Sequence, residues 1–179
     1  TDKLRPLGHS KIVLGIRWIT KQSDGLYLQS SYGILRLSPI GSAIIRVTFA
    51  RDMQPDQKVH PGIAVDRTEK FWMYKDAGSM VELTTDELAL QIDKAAGSIR
   101  YMTRDRKLLL EERGKECRQL EKLSTGGMKI WNFLKLTKKE HLYGFGPKEQ
   151  AGIGLRGTAR YLSYEKCLPF FLSDKGYGI

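Results

Sequence analysis

Residues that suit ligand contact are concentrated in the last third of the chain, from Tyr143 to Ile179. This stretch alternates glycines with aromatic side chains: Gly144, Gly146, Gly152, Gly154, Gly157, Gly176 and Gly178 with Tyr143, Phe145, Tyr161, Tyr164, Phe170, Phe171 and Tyr177. Glycines at this density predict short strands and tight turns, where backbone segments approach each other closely. Such a surface suits a flat, ringed ligand or another protein domain.

Gly152 to Gly157 spell G-I-G-L-R-G, which formally matches the dinucleotide fingerprint G-x-G-x-x-G. That motif binds pyrophosphate only between a strand and a helix whose N-terminus meets the phosphates. The residues that follow, ARYLSYEKCLPFF, contain Pro169 and lack a helical apolar stripe. Nucleotide binding is therefore disfavoured.

Other catalytic and metal-binding patterns are absent from the sequence. The three histidines, His9, His60 and His141, are isolated from one another, and no G-x-S-x-G elbow is present. We therefore predict no metal site and no cofactor. Loop positions are predicted for five aspartates that could act as catalytic carboxylates, but the sequence pairs none of them: Asp52, Asp56, Asp66, Asp76 and Asp174.

Composition indicates one soluble, globular domain covering residues 1–179, with 41% hydrophobic residues and a net charge of +10. The basic residues occur in ones and twos, as at Lys138 and Lys139, which favours a solvated surface over a nucleic-acid groove. No apolar run is long enough to cross a bilayer and no signal-peptide core is present, so we expect no membrane partner. The two separated cysteines, Cys117 and Cys167, predict reduced thiols and a cytoplasmic location.

The elements that must position these residues are predicted to be β-strands. Residues 11–20 and 26–29 form a predicted hairpin around Ser23-Asp24-Gly25, and residues 42–50 form a strand whose apolar face is Ala43, Ile45, Val47 and Phe49. Residues 80–83, 87–93, 98–103 and 108–112 predict a four-strand meander. Residues 118–123 suggest one helical turn, and residues 128–136 a strand covered on both faces. The predicted fold is all-β, an antiparallel β-sandwich.

Residues 71–74 form an aromatic and methionine cluster before a turn predicted at Lys75 to Gly78. We interpret the cluster as core, because aromatic side chains dominate core burial. The alternative is a sugar-stacking platform that includes Trp72 and Tyr74.

Several ordered motifs resemble the N-terminal β-sandwich domain of glycoside hydrolase family 31, the α-glucosidase and α-xylosidase family. They are the YGFG turn at 143–146, Glu149-Gln150, the LRG at 155–157, PFF at 169–171 and KGYGI at 175–179. A looser resemblance extends upstream through IIRVTFARD at 44–52 and through residues 103–112.

The resemblance implies a galactose mutarotase-like supersandwich that carries no catalytic residues. In that family the catalytic aspartates lie in a (β/α)₈ barrel that follows this domain, and cleavage proceeds with retention through two carboxyl groups. We therefore expect the chain alone to be inactive, with the barrel of the same parent chain and a carbohydrate substrate as its partners.

The resemblance also implies that the loop Thr158 to Leu168 reaches the mouth of the barrel pocket. Its candidate substrate-binding residues are Tyr161, Tyr164, Glu165 and Lys166. The Trp-Asn-x-Asp stretch that family members often carry in this loop is missing, and packing of both tyrosines is the alternative.

Four further residues are predicted to shape turns rather than to bind substrate: Gly144, Gly146, Arg156 and Gly157. For Arg156 we expect bonds to backbone carbonyls or an ion pair with Glu149.

Two other functions remain open at this level. One is a free-standing carbohydrate-binding β-sandwich that uses Trp72, Tyr74 and the Tyr161 loop. The other is a nucleic-acid binder whose affinity falls steeply with salt.

Overall fold

The computed structural model describes residues 13–51, 71–122, 128–144, 155–156 and 170–179. Within these ranges the chain is almost entirely β-structure, with one 3₁₀ turn at Gly114–Glu116 and no α-helix. The predicted all-β, antiparallel fold class is confirmed. The strands are β1 (Ile16–Gln22), β2 (Gly25–Ser30), β3 (Ile34–Gly41), β4 (Ile44–Ala50), β5 (Met73–Ala77), β6 (Met80–Thr84), β7 (Leu88–Asp93), β8 (Ile99–Thr103), β9 (Leu108–Glu112), β10 (Arg118–Lys122), β11 (Met128–Asn132), β12 (Leu134–Lys135), β13 (Leu142–Gly144), β14 (Phe171–Ser173) and β15 (Tyr177–Gly178).

The described residues fall into two compact units, one within His9–Leu134 and one within Lys135–Ile179. We call them the N-terminal unit and the C-terminal unit. The first sheet of the N-terminal unit is an antiparallel meander in the order β1-β2-β3-β4. The predicted hairpin is confirmed as β1 and β2, which turn at Ser23 and Asp24.

The second sheet has the order β12-β9-β8-β7-β6-β5. Strands β6 to β9 confirm the predicted four-strand meander. The turn predicted from Lys75 to Gly78 is wrong, because Lys75 to Ala77 belong to β5 and pair with β6. The chain reverses at Gly78, whose φ of 77° suits glycine.

The core of the N-terminal unit lies between these two sheets. Its cluster of buried side chains comes from both: Leu26, Leu28, Leu35 and Leu37 with Trp72, Val81, Leu83, Leu90, Ile92 and Ile99. Burial of each aliphatic side chain of this size stabilises a fold by about 1.5–3 kcal/mol. This core makes the N-terminal unit a sandwich of two antiparallel sheets.

The aromatic cluster at residues 71–74 is only partly core. Trp72 is buried in the central cluster, whereas Phe71, Met73 and Tyr74 are exposed. The alternative in which Trp72 stacks on a sugar is therefore wrong, because its ring faces the core.

The apolar face predicted for residues 42–50 is half correct. Ile45 and Phe49 pack against the core, while Ala43 lies exposed in a turn and Val47 is exposed. Strand β4 is the last strand in the order of its sheet. A side chain on such a strand has a neighbour on one side only.

The helical turn predicted at 118–123 is wrong, because Arg118 to Lys122 form β10, which pairs with β11. The side chain of Arg118 is buried and donates hydrogen bonds to the Glu112 carboxylate and, at 2.8 Å, to the carbonyl oxygen of Gly97. The pairing with β11 and these side-chain contacts stabilise the strand conformation against the local pattern.

The strand predicted at 128–136 is interrupted at Phe133, between β11 and β12. Its predicted burial on both faces is wrong, since Ile130 is exposed. The amide of Phe133 donates a 2.8 Å hydrogen bond to the carbonyl oxygen of Cys117, whose own side chain is buried.

In the described ranges we found no helix long and apolar enough to cross a membrane.

Candidate functional site

The candidate site lies in the C-terminal unit, which contains the described parts of the glycine- and aromatic-rich stretch. The four predicted substrate-binding residues, Tyr161, Tyr164, Glu165 and Lys166, lie outside the described residues, as do Gly146 and Gly157. Gly144 and Arg156 are described.

Strands β13, β14 and β15 form a small antiparallel sheet in that order. Leu142 pairs with Ser173 and Tyr143 with Leu172 across β13 and β14. Because successive side chains of a strand point to opposite faces, the two pairs mark the two faces of this sheet. Leu142 and Ser173 are buried, whereas Tyr143 and Leu172 are exposed.

Gly144 is required where β13 meets β14. Its φ is 146°, and a Cβ atom at this position would lie 2.3 Å from the carbonyl oxygen of Phe170 and 2.7 Å from Cα of Phe171. No L side chain tolerates such contacts with backbone atoms. The glycine therefore allows the two strands to approach at this point.

The buried face is organised around Glu140, which sequence reasoning missed. Its carboxylate accepts hydrogen bonds from the Ser173 hydroxyl at 2.8 Å, from the Thr137 amide at 3.0 Å and from the Tyr177 hydroxyl. The ammonium group of Lys175 lies 3.6 Å from Oε2. We call these five residues the Glu140 cluster.

The Glu140 carboxylate is held in its ionised form. Burial alone would raise its pKa, but the hydrogen bonds from Tyr177, Thr137 and Ser173 outweigh burial and lower the pKa to about 2. For Tyr177, burial and the hydrogen bond to Glu140 raise the pKa of the phenol. A carboxylate with this pKa neither donates a proton near neutral pH nor accepts one readily. The Glu140 cluster is therefore an anchor between β13, β14 and β15 rather than an acid–base pair.

Arg156 contacts the same region through the backbone. Its guanidinium donates hydrogen bonds to the carbonyl oxygens of Thr137 and, at 3.2 Å, of Glu140. The amide of the neighbouring Leu155 donates a 2.9 Å hydrogen bond to the carbonyl oxygen of Leu142. Residues 155–156 are thus tied to the segment that leads into β13.

Two residues that the sequence left unpaired come together at the end of this sheet. His141 Nδ1 lies 2.9 Å from Asp174 Oδ2, and both side chains are exposed. The hydrogen bond from His141 lowers the pKa of the Asp174 carboxyl group. Asp174 lies in a turn, in agreement with its predicted loop position, whereas Asp76, which was also predicted in a loop, lies in β5, where its carboxylate is 2.6 Å from the ammonium group of Lys94. Asp52, Asp56 and Asp66 lie outside the described residues.

The outward face of β13–β15 is apolar. Tyr143, Phe170 and Leu172 are all exposed. A Cβ atom on Gly178 would lie 2.7 Å from the ring of Phe170 and 3.1 Å from Leu172 Cδ2, so both side chains extend across that glycine. We call Tyr143, Phe170 and Leu172 the apolar face.

Groups of three or more His, Cys, Asp or Glu side chains that could hold a metal ion do not occur among the residues that the structure describes.

Comparison with known proteins gives one family and one fold. Residues 34–179 match the model of the glycosyl hydrolase 31 N-terminal galactose mutarotase-like domain. No curated protein matches the chain.

Similar solved structures include three GH31 or related carbohydrate-active proteins. An alpha-xylosidase from Xanthomonas citri gives a TM-score of 0.73 at 21% identity, covering 88% of this chain and 18% of that one. A GH31 dextranase from Flavobacterium johnsoniae, complexed with isomaltotriose, gives 0.77 at 16% identity, covering 94% and 22%. The cycloalternan-forming enzyme from Listeria monocytogenes, in complex with a pentasaccharide substrate, gives 0.72 at 21% identity, covering 93% and 17%. The chain therefore spans about a fifth of the length of these proteins.

Proposed function

Because the chain belongs to the glycosyl hydrolase 31 N-terminal galactose mutarotase-like domain family, we propose that it is the non-catalytic N-terminal domain of a retaining α-glycosidase. It packs on the catalytic (β/α)₈ barrel of the same parent chain and shapes the substrate pocket of that barrel. The parent enzyme hydrolyses terminal α-glucosides or α-xylosides.

The observation that carries this proposal is the family match over residues 34–179, which ends on the KGYGI motif of β15. The shared fold with an alpha-xylosidase and a dextranase, each several times longer than this chain, supports the same assignment. A domain that makes up about a fifth of such a protein leaves most of the chain available for a catalytic domain.

The chemistry of the C-terminal unit supports a non-catalytic role. A retaining glycosidase needs one carboxyl group that donates a proton and a second that attacks the sugar, about 5 Å apart. Glu140 is buried and saturated with hydrogen-bond donors, and Asp174 is bound to His141. Neither carboxylate suits either role.

The proposed contribution to substrate binding comes from Tyr161, Tyr164, Glu165 and Lys166. In the full-length parent enzyme, replacement of Tyr161 or Tyr164 by alanine is expected to raise KM with a smaller change in kcat, because lost sugar contacts weaken substrate binding. The matched control is Tyr32→Ala in the N-terminal unit. Unchanged KM in both loop variants would remove these residues from the proposed pocket.

We also propose a reducing compartment, such as the cytoplasm, for the parent protein. The buried thiol of Cys117 supports this, because a buried free cysteine needs no oxidising environment. Fractionation of the source cells tests the location.

The main test uses the full-length parent protein and aryl α-glucoside and α-xyloside substrates. We expect hydrolysis of at least one substrate, with retention of anomeric configuration followed by NMR. Residues 1–179 alone are expected to give no turnover above buffer. Turnover by those residues alone would contradict the non-catalytic role, and binding of maltose or xylose oligomers by them in calorimetry would favour a carbohydrate-binding module.

A further inference from the structure

The apolar face of the C-terminal unit is exposed although it has the composition of a buried surface. Tyr143 and Leu172 pair directly across β13 and β14, and Phe170 lies beside Leu172 over Gly178. The exposed fractions are 40% for Tyr143, 49% for Phe170 and 52% for Leu172. Contiguous exposed apolar side chains on a small sheet mark an interaction surface.

The polar surroundings of this face also fit a protein interface. The exposed, hydrogen-bonded pair of His141 and Asp174 lies at the end of β13 and β14, because His141 directly precedes β13 and Asp174 directly follows β14. An apolar centre bordered by polar side chains is the usual arrangement of an interface between proteins or domains.

The chemistry of the face distinguishes a protein partner from a sugar. A sugar site needs several hydrogen-bonding groups around its aromatic rings. Here the described side chain beside both rings is that of Leu172, and the polar side chains that border the face, His141 and Asp174, are bonded to each other. This composition favours another apolar protein surface.

We propose that the catalytic domain of the parent chain covers the apolar face, an inference that rests on the proposed function. The chain spans about a fifth of the similar GH31 proteins, so a covalently linked partner accounts for most of such a protein. Domains joined in one chain meet at a high effective concentration, so a small apolar face is sufficient for docking.

Hydroxyl-radical footprinting of the full-length parent protein tests this assignment with residue-matched controls. Each member of the face has an exposed counterpart of the same type in the N-terminal unit: Tyr32 at 45%, Phe71 at 75% and Leu108 at 43%. We expect labelling about tenfold slower at Tyr143, Phe170 and Leu172 than at these counterparts, because a docked face excludes water.

Equal labelling within the three pairs would overturn the inference. Protection that depends on protein concentration would assign the face to a second copy, and protection that requires added maltose or xylose oligomers would assign it to carbohydrate; either result overturns the inference. Glycosidase activity of the same sample is measured separately. An active parent with a freely labelled face refutes the docking surface alone, whereas an inactive parent with a protected face refutes the proposed function alone.

Substitution of Leu172 provides a second test of the same proposal. Leu172→Asp in the full-length protein is expected to restore labelling of Tyr143 and Phe170 toward the rates of their counterparts, whereas Leu108→Asp leaves them protected. Leu172→Met keeps the face apolar and is expected to retain the protection. Continued protection in the Leu172→Asp variant would contradict the proposal.

Discussion

The hydroxyl group of Ser173 donates a 2.8 Å hydrogen bond to Oε1 of Glu140, 33 residues earlier in the chain. The same carboxylate oxygen accepts the hydroxyl of Tyr177. One buried charge thereby connects the segment before β13 with both later strands of the sheet. The stability of the C-terminal unit is expected to depend on this carboxylate more than on any surface ion pair.

Glu140→Gln tests the role of the buried charge. The glutamine side chain carries an NH₂ group that would face the hydrogen-bond donors of Ser173, Thr137 and Tyr177. We therefore expect a loss of about 2–3 kcal/mol in the local free energy of unfolding. Amide hydrogen exchange of β13 and β14 should become faster by about thirtyfold or more. The control is Glu87→Gln, an exposed side chain that accepts one hydrogen bond from Ser42, and its exchange rates should change little.

The pH dependence of this unit follows from the same residue. The pKa of Glu140 is about 2 in the folded chain against an ordinary value of 4.5. Because the folded-state pKa is the lower one, the stabilisation of about 3 kcal/mol is complete above pH 4.5 and is lost as the pH falls toward 2. Urea unfolding followed by NMR intensities of β13 and β14 should show this loss. Glu140→Gln should lack this component, and an identical pH profile in both proteins would refute the assignment.

Gly144→Ala should separate β13 from β14. The new methyl group would meet the Phe170 carbonyl oxygen at 2.3 Å in a backbone conformation that disfavours alanine, so we expect destabilisation of at least about 2 kcal/mol. Gly41→Ala is the control, because its added Cβ meets nothing within 4 Å. Comparable hydrogen exchange of Leu172 in both variants would contradict the expected clash.

The ion pair of Glu112 with Arg118 should behave as a buried pair in a double-mutant cycle. Both side chains are almost fully buried, so removal of one partner, as in Arg118→Met, leaves a buried charge and costs about 3–5 kcal/mol. The double variant with Glu112→Met should recover part of that loss. Denaturation followed by tryptophan fluorescence reports on this unit, since all three tryptophans lie within residues 9–134. Strictly additive losses would show that the two charges do not interact.

Period-two patterns predicted the parts of the fold that bury one face against the core. Strand β7, for example, was predicted because Leu88, Leu90 and Ile92 alternate with smaller or polar residues. The β5 and β10 strands were missed, since neither sequence, MYKDA or RQLEK, has the period-two apolar pattern and each is set by pairing with a neighbouring strand. Arg118 is one example, because its strand pairs with β11 and its side chain bonds to Glu112 and Gly97.

The sequence predicted the region of the candidate site and Gly144 within it, but not the buried Glu140. Glycine spacing identified the region and Gly144 within it, because close approach of two strands requires glycine. Glu140 follows Lys138 and Lys139 in a polar run that reads as solvated surface. Two of its partners, Ser173 and Tyr177, are more than 30 residues away, so the neighbouring residues alone do not indicate its burial.

The buried thiol of Cys117 reports how often the N-terminal unit opens locally. Burial raises the pKa of its thiol, and the backbone on either side is held by the 3₁₀ turn and by the amide of Phe133. A thiol reagent should therefore react with Cys117 only after the backbone around it opens, and the reaction rate measures how often this opening occurs. In a Cys167→Ser variant, the alkylation half-life of the Cys117 thiol would report local opening of the sandwich without any added label.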